Sequence, residues 1–201
     1  MKTMLFVLTM TCAASAVSAE CDFTPDEEQL QFSFTGYGFP DKSYKVTKNT
    51  FTRYELTSAT GKLLGGAIDI DATSLDTSHD LNNGTGGTWP ASISEIRDAN
   101  IVNGLFNNFV NPGKIQVKVS SIDDSQIDLD VTMNGVTKTI PMTYSVAGGL
   151  LSAEGRLELM DFNTSEALKK LEPLCTLAWH QGKTWTDADI YFSVPVKEPG
   201  C

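Results

Sequence analysis

Cys175 and His180 stand five positions apart, the closest approach in the sequence of a soft nucleophile to a base. Such a pair serves as thiol and general base, or as two metal ligands, once a third group orients or completes it. No third residue is spaced to do so, and the only other histidine is His79. A structural thiol near a surface histidine is the better account. Asp69, Asp71, Thr73 and Asp80 resemble a calcium loop, but Ser74 stands where its glycine belongs. Nucleophile elbow, zincin and phosphate-loop motifs are all missing, so no enzyme and no metal site are expected. Arg97, Lys138 and Lys183, with Trp185 beside the last, are candidates to meet a polar head group. Their plainer reading is solvated charge, or ion pairing with Asp98.

The elements that position these residues begin after an apparent leader. Lys2 gives a positive start, Met4 to Met10 an apolar run, and Val17-Ser18-Ala19 a small-residue cleavage site, which predicts a secretory signal over residues 1–19. That run is shorter than the ~20 residues a bilayer span needs. Removing 19 from 201 leaves 182, enough for one domain, 20–201, with a full core. Without Lys2 the charge becomes 14 − 25, or −11, too acidic to bind nucleic acid or an anionic membrane by charge. An exported, periplasmic protein with no stable membrane insertion is expected. Of the four cysteines three remain, so an oxidising compartment leaves one thiol over. If the first and last strands are neighbours, Cys21 pairs with Cys201; Cys21 with Cys175 is the alternative.

A period of two dominates the rest. Ile127, Leu129, Val131 and Met133 alternate with polar residues, and after Asn134-Gly135 the pattern resumes through Val136, Ile140, Met142, Tyr144 and Val146. One packed and one wetted face make these antiparallel strands, and Asn-Gly is the strongest short hairpin signal. Pro141 removes a ladder donor and predicts an edge or bulge. Leu30, Phe32 and Phe34 form a strand that Gly36-Tyr37-Gly38-Phe39-Pro40 should break, with a less regular one from Tyr44. Gly65-Gly66 suits a bend inside a strand from Leu63 to Ala72. Ile115, Val117 and Val119, Leu151 to Leu159, and Ile190 to Val196 complete the set. Ile101, Leu105, Phe106 and Phe109 make a helical face. Asn163 with Glu166 reads as a capping box for a helix over 164–174 that buries Ala167, Leu168 and Leu171. The class is all-β with minor helices, an antiparallel barrel of about eight strands with one or two short helical inserts.

On Gly65-Gly66 before Ile68-Asp69-Ile70-Asp71-Ala72, on Ser74-Leu75-Asp76-Thr77, on Arg97-Asp98, on Met133-Asn134-Gly135-Val136-Thr137-Lys138 and on Ser152-Ala153-Glu154-Gly155, the chain resembles the YceI-like family of periplasmic lipid-binding proteins. The resemblance runs from about Phe32 to Val196. It implies an extended, lipocalin-like eight-stranded barrel around an apolar channel for a polyisoprenoid, a quinone or a fatty-acyl chain. The Gly-rich insert 82–88, the three cysteines and the segment 177–185 depart from the commoner pattern.

A closed barrel of eight strands either fills itself with side chains or holds one slim ligand. Phe32, Phe34, Phe106, Phe109, Val117, Met133, Met142, Tyr144 and Phe192 are the expected channel lining, since aromatic and methionine surfaces accept a flexible tail without fixing its shape. No covalent cofactor is expected, only a bound isoprenoid lipid or quinone; the partner is that hydrophobic molecule, with a homodimer left open. Two rivals stand beside the carrier: a redox-linked accessory protein using a bound quinone or Cys175, and a filled barrel acting only through protein partners.

Overall fold

A computed structural model describes residues 22–175 and 183–197. Residues 1–21, 176–182 with His180, and 198–201 lie outside the described residues, and with them the expected signal and the Cys21–Cys201 bridge. Cys175 is a free thiol.

The alternating runs become β1 (Thr24–Pro25), β2 (Gln31–Gly38), β3 (Tyr44–Phe51), β4 (Tyr54–Thr57), β5 (Ala67–Asp71), β6 (Leu75–Asp76), β7 (Lys114–Ile122), β8 (Gln126–Met133), β9 (Val136–Ala147), β10 (Leu150–Glu158) and β11 (Asp187–Lys197). All pairings are antiparallel, in the order β4-β5-β7-β8-β9-β10-β11-β2-β3-β6, with β1 on β11. The eleven strands reduce to eight rungs for a physical reason. β3 and β4 are one strand kinked at Thr52-Arg53, and β5 and β6 are one strand interrupted by a 3-10 turn, Ala72–Ser74. The two halves pair as Tyr54↔Ile70 to Thr57↔Ala67 and as Thr50↔Asp76 and Phe51↔Leu75. Asp71 N–H donates to Arg53 O and Thr52 N–H to Ser74 O across the kink. With β1 a short appendage, this bent hairpin joins β2 to β7 and the sheet rolls back on itself.

The hairpin at Asn134-Gly135 forms as read, with φ of 49° and 76° at its two turn residues. Pro141 pairs with Asp128 on one side, while pairing of β9 with β10 begins only at Met142↔Gly155. It therefore ends a half-edge and leaves no ladder partner wanting a donor. Gly36-Tyr37-Gly38 does not break β2, because Val46, Lys45 and Tyr44 pair with all three; the chain turns at Phe39, with φ 55°. Gly65-Gly66 does not bend a strand either. Both precede β5 in a turn pinned by Gly65 N–H on Val119 O.

Two helices cover one end. α1 (Ser92–Gly104) continues into a 3-10 turn, Phe106–Asn108, and α2 (Ser165–Leu171) into another, Glu172–Leu174. Gly104 lets the helices touch, since a Cβ there would lie 2.8 Å from Leu171 Cα. Ala167, Leu168 and Leu171 are buried as expected. The capping box is not formed. Asn163 is left-handed, with φ 55°, and ends the preceding turn; Thr164 is the cap residue and its hydroxyl donates to Leu159 O. Glu166 instead pairs with Lys169 one turn along.

A candidate lipid cavity under the helical cap

The barrel is filled at one end and hollow at the other. Phe23, Leu63, Val119, Ile122, Ile127, Leu151 and Val194 are all buried and pack the far half. Below α1 and α2 the inward rows spread apart around a cavity of about 250 Å³. Its wall takes Phe32 and Phe34 from β2, Ile68 and Ile70 from β5, and Ile115 and Val117 from β7. Leu129, Val131 and Met133 of β8, Met142 of β9, and Ile190 and Phe192 of β11 continue it. Strand geometry makes these neighbours: Val117 pairs with Ile68 on one side and Val131 on the other, and Phe32 with Phe192. Phe51 stacks on Phe34 at 5.7 Å between ring centres and meets Phe106 edge-on at 5.8 Å.

The helical cap supplies Ile93, Ile96, Ile101 and Leu105 from α1 and its end, and Leu171, Leu174 and Cys175 from α2 and its extension. Ile96 and Leu174 both line the cavity and are exposed, 49% and 40%, and so mark a greasy rim. Trp185 lines the same cavity, held by its Nε1–H on Phe39 O at 2.7 Å. Lys42 lies 4.2 Å from the Trp185 ring and pairs with Asp187 at 2.6 Å, which also binds Arg156. Burial, and then the hydrogen bond to Asp189, push the Tyr37 phenol up to about 12. A neutral, donating Tyr37 is thus fixed at the rim.

The nine expected lining residues separate. Phe32, Phe34, Phe106, Val117, Met133, Met142 and Phe192 are in the wall. Phe109 is buried behind Phe106, edge-on at 5.6 Å, and stays out of the cavity. Tyr144 faces inward in the filled half, edge-on to Phe23, with its hydroxyl on Asp123 O at 2.7 Å. Among the polar candidates Arg97 and Trp185 reach the cavity. Lys138 and Lys183 are exposed and do not line the cavity, although Lys183 holds its ammonium 4.5 Å from the ring of Trp185, which does. Nor does Arg97 pair with Asp98: it donates from Nη2 to Thr77 O at 3.0 Å and Asp80 O at 2.9 Å. Asp98 instead accepts from Thr77 N–H, and burial pushes its carboxyl up.

Sequence reasoning missed Asn49 and Thr77, both in the wall. Asn49 sits inward where β2 and β3 slip register, and no periodicity reveals a polar residue turned into a barrel. The calcium-like carboxylates scatter: Asp69 takes Gln116, Asp71 takes Arg53 and Thr73, and Asp80 takes Thr47 and Asn82. Among the described residues no metal-binding cluster occurs, and no helix is long and apolar enough to cross a membrane. Burial pushes the Cys175 thiol up, away from the reactive thiolate.

Comparison with known proteins agrees with this architecture. Protein YceI of Escherichia coli O17:K52:H18 is 28% identical over 174 residues, covering 79% of this chain and 83% of the relative. Protein YceI of Shigella flexneri is 27% identical over 178 residues, with the same coverage. A polyisoprenoid binding domain from Saccharophagus degradans, implicated in plant cell wall breakdown, superposes with a TM-score of 0.55 at 14% identity, over 89% of this chain and 99% of that one. BcnA of Burkholderia cenocepacia follows at 0.51 and 14%, over 87% and 99%. At such identity the two structures attest the fold alone. The YceI-like domain model matches residues 21–196, so the chain belongs to the YceI-like family.

Proposed function

We propose that the protein holds the hydrocarbon tail of a lipid, isoprenoid or acyl, in the hollow half of its barrel and carries or sequesters it in the periplasm. The apolar cavity of about 250 Å³ is the observation that carries this reading. If a methylene takes about the ~30 Å³ of a liquid water, roughly eight fit. At ~0.8 kcal/mol each they contribute about 6 kcal/mol before any polar contact. A longer tail leaves by the rim of Ile96, Leu174 and Trp185. The polyisoprenoid-binding neighbour supports the same class of ligand. Cys175 in the cavity wall is what favours the redox rival, and its raised pKa counts against it.

The test is solvent extraction and mass spectrometry of protein purified from its own host. A prenyl or acyl lipid should appear near one per chain and vanish in Val117→Trp, whose indole fills the space between Ile68 and Val131. A folded wild type that yields no lipid, and takes up none from detergent-free dispersions, refutes the carrier. Cys175→Ser that keeps the lipid and loses a redox activity of the whole cell would favour the rival.

A further inference from the structure

The wall of the cavity has a seam that no backbone ladder closes. β2 and β11 pair from Gln31↔Ser193 to Thr35↔Asp189 and then part. Beyond that point Gly36, Tyr37 and Gly38 are paired on their other side, with Val46, Lys45 and Tyr44 of β3. Asp187 and Ala188 are likewise paired away from the gap, with Glu158 and Leu157 of β10. All five residues that face each other across it line the cavity. Side chains bridge it instead. The Tyr37 hydroxyl donates to Asp189, Lys42 Nζ reaches Asp187 at 2.6 Å, and Trp185 Nε1–H donates to Phe39 O at 2.7 Å. Lys42 is at the centre of this closure, with its ammonium 4.2 Å from the Trp185 ring and 4.9 Å from the Tyr37 ring.

A second gap, between β9 and β10, is closed differently. There the turn Leu159–Phe162 packs against β9, Phe162 is wholly buried, and Asn134 donates to the carbonyls of Phe162 and Asn163. Opening a ladder or a packed plug exposes many backbone and apolar groups at once. The β2–β11 seam parts by exchanging a few side-chain contacts for water. The Lys42 and Asp187 side chains are 26% and 10% exposed, so neither end of their pair is sealed from solvent, and such pairs are readily broken. The tip beyond the seam holds Phe39 and Lys42 at φ 55° and 60°, a region that L residues resist. Gly36 and Gly38 lead into it without side chains of their own. A strained tip on a glycine-containing strand, pinned by few contacts, is poised to swing.

We propose that the β2–β11 seam is the entry portal for the lipid tail and that Lys42 is its latch. When the Lys42–Asp187 pair breaks, the 39–43 tip lifts off Trp185 and the wall opens sideways, so a tail is laid in rather than threaded end-on. This rests on the cavity being a lipid site, and the test separates the two claims. Delipidated protein is loaded with parinaryl alcohol, whose tetraene fluoresces in apolar surroundings, and transfer to phosphatidylcholine vesicles carrying a quencher lipid is followed by stopped flow. Lys42→Met keeps the aliphatic stem and removes the charge. It should speed uptake and release alike by roughly fivefold, the scale of one weak ion pair, and leave Kd within about twofold. A staple in wild type supplies the converse. Carbodiimide activates the Asp187 carboxylate, the Lys42 amine displaces it as an amide, the lost oxygen leaves in the urea, and peptide mass spectrometry identifies the 42–187 link. Protein stapled while loaded should release its probe roughly tenfold more slowly, as a closed gate requires. Unchanged rates in Lys42→Met, a weaker Kd without faster uptake, or failure of the 42–187 link to form overturns the latch. A stapled protein that releases as fast as wild type overturns the portal and leaves the lipid cavity standing. Protein that takes up no parinaryl alcohol overturns the cavity and the portal together. Because the staple is made in wild type, a failure of Lys42→Met to fold does not spare the proposal.

Discussion

Replacing Asn134 tests how the helical cap is tied to the barrel. Asn134 is the first residue of the β8–β9 turn and only 9% exposed. Its Nδ2 donates to Phe162 O and Asn163 O, both at 2.9 Å, and its Oδ1 accepts from Val110 N–H at 2.8 Å. One side chain thus joins the hairpin to the segment entering α2 and to the loop leaving α1. Asn134→Gly keeps the φ of 49° affordable and deletes all three bonds. Two of the bonds are partly buried, at about 1 kcal/mol each, and the fully buried one strands the Phe162 carbonyl for ~1–3 kcal/mol. The loss should be about 3–5 kcal/mol, or roughly 6–20 °C in Tm at ~2–4 °C per kcal/mol for a chain of this size. Asn134→Ala should lose about 1 kcal/mol more, because a Cβ resists the left-handed turn. Urea and thermal unfolding followed by circular dichroism measure both variants. An Asn134→Gly protein within 0.5 kcal/mol of wild type, to take about the smallest difference such curves resolve, refutes the tie.

Gly155→Ala should destabilise by about 1–3 kcal/mol through overpacking, since its Cβ would run into Met142 Sδ and lie 2.8 Å from Pro141 O; urea midpoints check it. Burial alone would raise the Asp80 carboxyl, but the Asn82 and Thr47 amides and side chains hold it down to about 2, against 3.8 unfolded. Its contribution to stability is therefore present above pH 3.8 and disappears as pH falls toward 2. Asp80→Asn should flatten that part of an acid titration of the urea midpoint. Cys175 should alkylate with iodoacetamide at neutral pH more slowly than a solvent-exposed thiol, and more slowly still with lipid bound, as read by mass spectrometry. Lys138→Ala should leave lipid content unchanged in extracts, since its side chain is exposed and away from the cavity.

Much of the barrel is visible in local pattern, because a strand with one wetted face must alternate and a type I′ turn must use residues such as Asn-Gly. The inward rows of β7, β8 and β11 are accordingly legible one residue at a time. What alternation cannot express is where along a row the packing stops. Tyr144 and Met142 have the same parity, yet one plugs the filled half and the other faces the hollow, which depends on Phe23 arriving from the start of the chain. Side chains that serve the backbone are equally silent. Arg97 looks like half of an Arg-Asp pair but bonds two carbonyls, and Asn134 looks like a turn residue but also ties down the cap. Asn163 satisfied a capping spacing while the chain used the next residue, because a left-handed exit from one turn had already claimed it.

On its β10 side β9 has no strand partner from Val136 to Pro141, and that flank bears on self-association. An exposed ladder of amides invites a neighbouring molecule to add a strand and begin a fibril. Here the inviting stretch carries a lysine and ends in a proline that offers no N–H, two features that spoil such docking. The turn Leu159–Phe162 packs against this strand as well, so the flank beside the lipid-sized hollow is a poor seed for aggregation.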